Sequence, residues 1–179
     1  MSKYLLISGS PRKGNTDFIL SKVYDSIKEE KELILLRNHD IKHCKGCLVC
    51  HDKPECVIKD DMDKIRDKIL NSNVLIVGTP NYFGNITGLM KDFVDRLHPF
   101  YKAESLKNKK LILIMVGGGE IEGLKKYLNE TMYGFVKYLK LDLIGSYCFK
   151  GLYFNDVKQN LDSDKEINKI IEKIKEISL

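Results

Sequence analysis

Five short apolar segments divide the chain. They span residues 4–7, 33–36, 74–77, 111–116 and 141–149. The second, third and fourth are nearly continuous rather than alternating, which is typical of parallel strands that are covered on both faces. We therefore predict five β-strands at these positions.

Between the predicted strands, apolar residues recur at helical spacing. The stripes are Ile19, Leu20, Val23 and Ile27; Met62, Ile65 and Ile69; Ile86, Leu89, Met90, Phe93, Val94 and Leu97; Ile121, Leu124, Leu128, Met132, Phe135 and Leu139; and Ile167, Ile170, Ile171 and Ile174. Asp60 and Asp61 precede the second stripe, where carboxylates suit a helix start. Five strands alternating with five helices predict a doubly wound α/β fold, which binds ligands outside the carboxyl ends of its strands.

Composition and charge narrow the class of protein. The chain has 179 residues, 43% of them hydrophobic and 31% charged, as expected for one folded domain over 1–179. The net charge of +5 comes from lysines mixed with acidic residues. This pattern favours a solvated surface over a nucleic-acid interface. The N-terminal stretch is too short for a signal peptide and no apolar run approaches a membrane span, so we expect a cytoplasmic protein that does not bind membranes.

The loop after the first strand predicts a site for a single phosphate. Ser10, Asn15 and Thr16 offer side-chain donors, Arg12 adds a positive charge, and the small residues let backbone N–H groups approach an anion. Two structural alternatives remain open: Asn15 or Thr16 as a plain helix N-cap, and a glycine that only makes the turn. The loop lacks the patterns typical of triphosphate and dinucleotide sites, which favours a monophosphate.

The loops after the third and fourth strands predict a place for a planar ring such as isoalloxazine. Tyr82 and Phe83 are candidate aromatic walls, and backbone amides around Gly84 and Asn85 are candidate donors for its polar edge. The alternative is a turn that folds both aromatic rings into the core. The glycines at 117–119 either allow close backbone approach to a ligand or simply make a turn.

Four cysteines follow the second predicted strand with C-x₂-C-x₂-C-x₅-C spacing. They are Cys44, Cys47, Cys50 and Cys56. Neighbouring thiolates repel, so a metal centre would favour such a group; an iron–sulfur cluster, zinc and free redox-active thiols are the three interpretations. His43 and His51 are interpreted as solvated loop residues. Cys148, in the fifth strand, is interpreted as a small core residue.

Residues 9–16 resemble the FMN-phosphate loop of the NADPH-dependent FMN reductase family, within the flavodoxin-like superfamily. The resemblance implies that Ser10, Arg12, Asn15 and Thr16 hold the ribityl phosphate, in a loop that includes Lys13 and Gly14. Residues 78–85 and 89–96 also fit the family. The residues implied to contact or flank the flavin ring are Pro80, Asn81, Tyr82, Phe83, Gly84, Asn85, Gly117 and Gly118. The implied fold is a five-stranded parallel sheet of order 2-1-3-4-5 with helices on both faces.

The cysteine spacing resembles the iron–sulfur flavoproteins, a branch of the same family. It implies a [4Fe–4S] cluster on the four cysteines, carried by an insertion at about 38–60. The first hypothesis is electron transfer from a ferredoxin-like donor to a small-molecule or protein acceptor. The second is a flavin-only enzyme that uses NAD(P)H to reduce flavin, quinones or azo compounds, and the third is a zinc-stabilised binding module. Family members are expected to form homodimers or homotetramers.

Overall fold

The computed structural model describes residues 3–178 and contains one parallel sheet. Its strands are β1 (Tyr4–Ser8), β2 (Lys31–Leu35), β3 (Val74–Pro80), β4 (Lys110–Gly117) and β5 (Asp142–Lys150). Their order is β2-β1-β3-β4-β5, with β1 paired to both β2 and β3. The predicted flavodoxin-like topology is confirmed.

Helices connect the strands. They are α1 (Asn15–Ser26), α2 (Met62–Leu70), α3 (Gly88–Asp95), α4 (Phe100–Ala103), α5 (Ile121–Tyr138), α6 (Asp156–Gln159) and α7 (Leu161–Ser178), with 3₁₀ turns at Leu36–Asn38 and Val49–His51. The two four-residue helices, α4 and α6, were not predicted because four residues carry no readable apolar stripe. None of the helices in residues 3–178 combines the length and the apolar character needed to cross a bilayer.

The sheet separates two hydrophobic clusters. Leu5 and Ile7 of β1 pack into the cluster shared with α2, α3 and α5. Tyr4 and Leu6 point to the other face and join the cluster of α1 and α7. Successive side chains of a strand face opposite sides, so one continuous apolar segment fills both clusters, as predicted for covered parallel strands.

The fold brings the predicted loops to one edge of the sheet. Strand order reverses between β1 and β3, and β4 lies beside β3. The loops that follow these three parallel strands therefore emerge together at their carboxyl ends. This is the position where open α/β sheets bind ligands.

Candidate functional site

The three predicted loops meet around one cavity, here called the loop cavity, of about 140 Å³. Its lining includes these predicted residues: Ser10, Arg12, Gly14, Asn15, Thr16, Pro80, Asn81, Tyr82, Gly117 and Gly118. Lys13, Phe83, Gly84 and Asn85 lie outside the lining. The structure adds Val116, Gly151 and Leu152. Gly151 follows β5 directly, so applying the same strand-end argument to β5 would have found it.

Hydrogen bonds within the first loop hold it in shape. The Ser10 hydroxyl donates to the Arg12 carbonyl at 2.6 Å, and its oxygen accepts from the Arg12 N–H at 3.4 Å. The Ser8 hydroxyl donates to the Asp17 carboxylate at 2.7 Å and accepts from the Ser10 N–H at 3.3 Å. Ser10 therefore stabilises the backbone of the loop as well as lining the cavity.

The amino end of α1 lies against the loop cavity without a side-chain cap. Gly14 is the N-cap, and the side chain of Asn15 is used elsewhere: it donates to the Tyr153 carbonyl at 2.8 Å and accepts from the Val157 N–H at 3.5 Å. The alternative in which Asn15 or Thr16 is a plain helix N-cap is therefore wrong. An uncapped helix start offers N–H donors and a positive dipole end, and the exposed Arg12 adds a cation. These groups suit an anion.

An ion pair lies behind the first loop. Arg37 Nη1 lies 2.8 Å from the Asp17 carboxylate and donates to the Ser10 carbonyl at 3.4 Å. Arg37 thus neutralises the one acidic group in the first turn of α1. Because of this pairing, Asp17 opposes an anion in the cavity less than a free carboxylate would.

Residues 82–85 form a tight hairpin at the edge of the site. Tyr82 and Asn85 exchange two backbone hydrogen bonds, of 2.8 and 3.0 Å. Phe83 and Gly84 occupy the turn with φ values of +52° and +72°, as in a type I′ turn. The exposed rings of Tyr82 and Phe83 are not folded into the core, so the alternative interpretation is wrong. The N–H of Asn85 already donates to Tyr82, so it differs from the free donor that we predicted.

Packing explains the glycines at the end of β4, Gly117 and Gly118. A Cβ on Gly117 would lie 2.6 Å from Leu124 Cδ2 and 2.9 Å from Asn81 Cβ. A Cβ on Gly118 would lie 3.1 Å from Leu152. Glycine at these positions therefore brings α5 and the loops after β3 and β5 close to the end of β4.

One unsatisfied polar atom supports a ligand in the loop cavity. Asn81 Oδ1 is buried and has no hydrogen-bond partner within residues 3–178, although its backbone N–H donates to the Val116 carbonyl at 2.7 Å. A buried acceptor without a partner is costly, and a bound donor would satisfy it. The cavity also shares Gly118, Gly151 and Leu152 with an open groove of about 590 Å³, which offers room for a larger ligand. The residues present therefore fit a phosphate-bearing cofactor.

The four cysteines surround a second cavity, of about 70 Å³, which we call the cysteine cavity. They lie in residues 42–58, the cysteine segment. Cys44 and Cys47 are exposed, whereas Cys50 and Cys56 are half-buried. Burial and the charges of the other three thiols raise the pKa of Cys50, so a cation would be needed to favour four thiolates. The shared cavity fits a metal centre in its donor chemistry, although no three potential ligands among residues 3–178 converge closely enough to hold an ion.

Two histidines belong to the cysteine segment, and a third, His98, lines the cysteine cavity. His43 is exposed, as predicted; its Nδ1 contacts the Asp92 carboxylate at 2.6 Å, and this hydrogen bond raises its pKa. His51 is half-buried and stacks on His98 with ring centroids 4.8 Å apart, so it is not the solvated residue that we predicted. His98 Nδ1 lies 3.2 Å from Cys50 Sγ. His98 is 48 residues from Cys50, and no local pattern could have indicated this contact.

Comparison with known proteins identifies the family. The family model described as NADPH-dependent FMN reductase matches residues 2–140. The chain belongs to this family. The resemblance that the sequence predicted is therefore confirmed.

Individual relatives and a solved structure agree with this assignment. An iron–sulfur flavoprotein of Archaeoglobus fulgidus is 43% identical over 97 residues, covering 52% of this chain and 48% of the relative. An iron–sulfur flavoprotein of Methanosarcina thermophila is 36% identical over 129 residues, covering 69% and 68%. The chain thus spans about half of the length of the Archaeoglobus fulgidus protein. The structure of a Trp repressor binding protein from Bacillus subtilis superposes with a TM-score of 0.69 at 19% identity, covering 94% and 96% of the two chains, which supports the fold.

Proposed function

We propose that the protein binds FMN in the loop cavity and carries electrons as an iron–sulfur flavoprotein. The observation that supports this most directly is the cavity itself, where an uncapped helix start and Arg12 lie beside the buried Asn81 acceptor. When bound, FMN would accept or give one or two electrons, and a cluster would carry single electrons.

The chain's own residues would bind and orient the flavin. The N–H groups at the start of α1 and the Arg12 guanidinium would hold the phosphate, with Ser10, Asn15 and Thr16 keeping the loop in shape around it. Asn81 would accept a hydrogen bond, and Tyr82 would provide an aromatic wall. In this proposal, four of the predicted residues act from outside the cavity. Lys13 adds to the positive charge of the first loop, and the hairpin takes its shape from Phe83, Gly84 and Asn85.

The four cysteines, in this proposal, hold a [4Fe–4S] cluster. Helix α3 connects the two sites: the Thr87 hydroxyl at its N-cap donates to the Gly9 carbonyl at 2.7 Å, and Arg96 at its C-cap lines the cysteine cavity. An eight-residue helix is about 12 Å long. With one site at each end of this short helix, we expect electrons to pass between them, with ferredoxin or NAD(P)H as donor and a small molecule or protein as acceptor.

A flavin-only reductase that uses NAD(P)H is the second candidate. It is favoured by the spacing of the thiols, since no three potential ligands among the described residues converge on one point. Oxygen-protected purification followed by iron and sulfide analysis separates the two. About four irons per chain would support the cluster, whereas flavin without iron would support the second candidate. A colourless protein with stoichiometric zinc would instead indicate the zinc-stabilised module.

The FMN site is tested by titrating the protein with FMN and following the quenching of flavin fluorescence. Arg12→Gln is expected to weaken FMN binding by about tenfold or more, because it removes a charge-assisted contact worth about 1.5 kcal/mol or more. Riboflavin, which lacks the phosphate, should bind both proteins equally. Lys22→Gln removes a cation from the exposed side of α1 and should leave FMN binding unchanged. Absence of quenching by the unmodified protein, or equal losses in both variants, would refute the site.

A further inference from the structure

A buried ion pair lies beneath the cysteine cavity. The side chains of Arg96 and Asp60 are both fully buried, and Arg96 Nη1 lies 2.5 Å from Asp60 Oδ2. Arg96 Nη2 donates to Asp60 Oδ1 at 3.0 Å, so the pair is bidentate. A buried charge pair of this kind needs further hydrogen bonds to offset the desolvation of both groups.

Those further bonds go to both ends of the cysteine segment. Arg96 Nη1 donates to the Lys42 carbonyl at 2.8 Å, just before Cys44, and Nη2 donates to the Ile58 carbonyl at 3.1 Å, just after Cys56. Asp60 accepts from the Lys42 N–H at 2.9 Å. Arg96 therefore joins two points of the chain 16 residues apart and closes the segment into a loop.

Arg96 is also oriented toward the thiols. It lines the cysteine cavity together with all four cysteines. Its Nε is buried and has no hydrogen-bond partner within residues 3–178. A guanidinium is not deprotonated in proteins. Arg96 thus remains a cation beside four groups that become anions when they bind metal.

We propose that Arg96 is a positioning residue that closes the cysteine segment around its cavity before any metal arrives. The inference rests on the proposed metal-binding role of the four cysteines. Both terminal nitrogens of the guanidinium are used twice, once on Asp60 and once on a carbonyl. A lysine ammonium would keep the charge, but its three donors radiate from one atom and cannot reproduce this fork.

The test is titration of the metal-free protein with Co²⁺ under anaerobic, reducing conditions. The thiolate-to-cobalt absorption reports how many cysteines bind the ion. Arg96→Lys is expected to weaken Co²⁺ binding by about tenfold or more and to reduce this absorption, as loss of groups that orient metal ligands generally does. The matched control is Arg66→Lys: Arg66 is also buried, and it contacts Asp63 and the Arg96 carbonyl but not the cysteine segment. The control should bind Co²⁺ like the unmodified protein.

FMN titration of the same samples distinguishes the possible failures. Unchanged Co²⁺ binding by Arg96→Lys would overturn the positioning role alone, since the cysteine site and the FMN site would both remain. Absence of a thiolate-to-cobalt absorption in the unmodified protein would overturn the cysteine site and this inference together, whether or not the protein binds FMN.

If Arg96→Lys does not fold, hydrogen exchange of the metal-free unmodified protein decides. The Lys42 amide should exchange at least about tenfold more slowly than the exposed Lys45 amide, and equal rates would overturn the inference.

Discussion

At the scale of single residues, Gly117 shows how packing constrains the candidate site. Gly117→Ala is expected to lower the free energy of unfolding by about 1–3 kcal/mol, because the added Cβ would lie 2.6 Å from Leu124 Cδ2. In Gly119→Ala the nearest atom, also of Leu124, would be 3.9 Å away, so its effect should be within about 0.5 kcal/mol. Urea unfolding measures both. Equal stabilities of the two variants would contradict the packing explanation.

Residue types near strand ends were predictable, whereas their partners were not. The sequence indicated the cavity-lining roles of Ser10, Arg12 and Thr16, because polar and small residues directly follow an apolar strand. For Asn15, the sequence could not choose between a phosphate donor and a helix cap, and its partner in the structure, the Tyr153 carbonyl, is 138 residues away. Contacts of this range depend on the whole topology rather than on local spacing.

At the scale of elements, the hairpin of residues 82–85 combines an exposed aromatic ring with an unfavourable backbone conformation. Phe83 has φ +52° and its side chain is fully exposed. Phe83→Asn is therefore expected to raise the free energy of unfolding of the ligand-free protein by about 1 kcal/mol, because asparagine tolerates the left-handed region and little packing is lost. Urea unfolding provides the measurement. A lower urea midpoint would show that the ring makes stabilising contacts.

The control for this substitution is Phe154→Asn. Phe154 is also exposed but does not have a positive φ, so its replacement should give no increase in stability. The sequence indicated a loop here and placed both aromatic rings near the site. It did not predict that the Asn85 N–H donates a hydrogen bond within the turn, to the Tyr82 carbonyl. Turn type depends on dihedral angles, which residue types restrict only loosely.

Among the helices, α3 shows which element-level features a sequence can and cannot indicate. Its apolar stripe was predicted, and Met90 and Phe93 are buried as expected. Its ends carry the contacts that matter for the site, namely Thr87 to the first loop and Arg96 to the cysteine segment. In the sequence, Arg96 is only the last residue of the segment 89–96 that fits the family. Only the fold shows that Asp60, 36 residues earlier, lies beside it.

At the scale of the whole molecule, the sheet buries one thiol, whereas the other four lie outside its strands, in the cysteine segment. Cys148 of β5 is 5% exposed and packs in the cluster shared with α2, α3 and α5, which confirms its predicted role in the core. Burial raises its pKa from 9.0 to about 11. The unfolded chain would lose this proton near its ordinary pKa, while the folded protein retains it. Stability therefore falls as the pH rises from about 9 to 11.

This linkage predicts a pH-dependent difference between the unmodified protein and Cys148→Ala. At pH 7 the variant should have a lower free energy of unfolding than the unmodified protein, because the missing sulfur leaves a small cavity. Toward pH 11 the difference should shrink by up to about 2 kcal/mol, since only the unmodified protein loses stability through this thiol.

Lysines and tyrosines that titrate in the same range affect both proteins and cancel in the comparison. Ser146→Ala, at an exposed position two residues earlier in the same strand, should show a difference that does not vary with pH. Urea unfolding at pH 7 to 11 measures each difference, and a constant gap for Cys148→Ala would mean that the thiol titrates alike in both states.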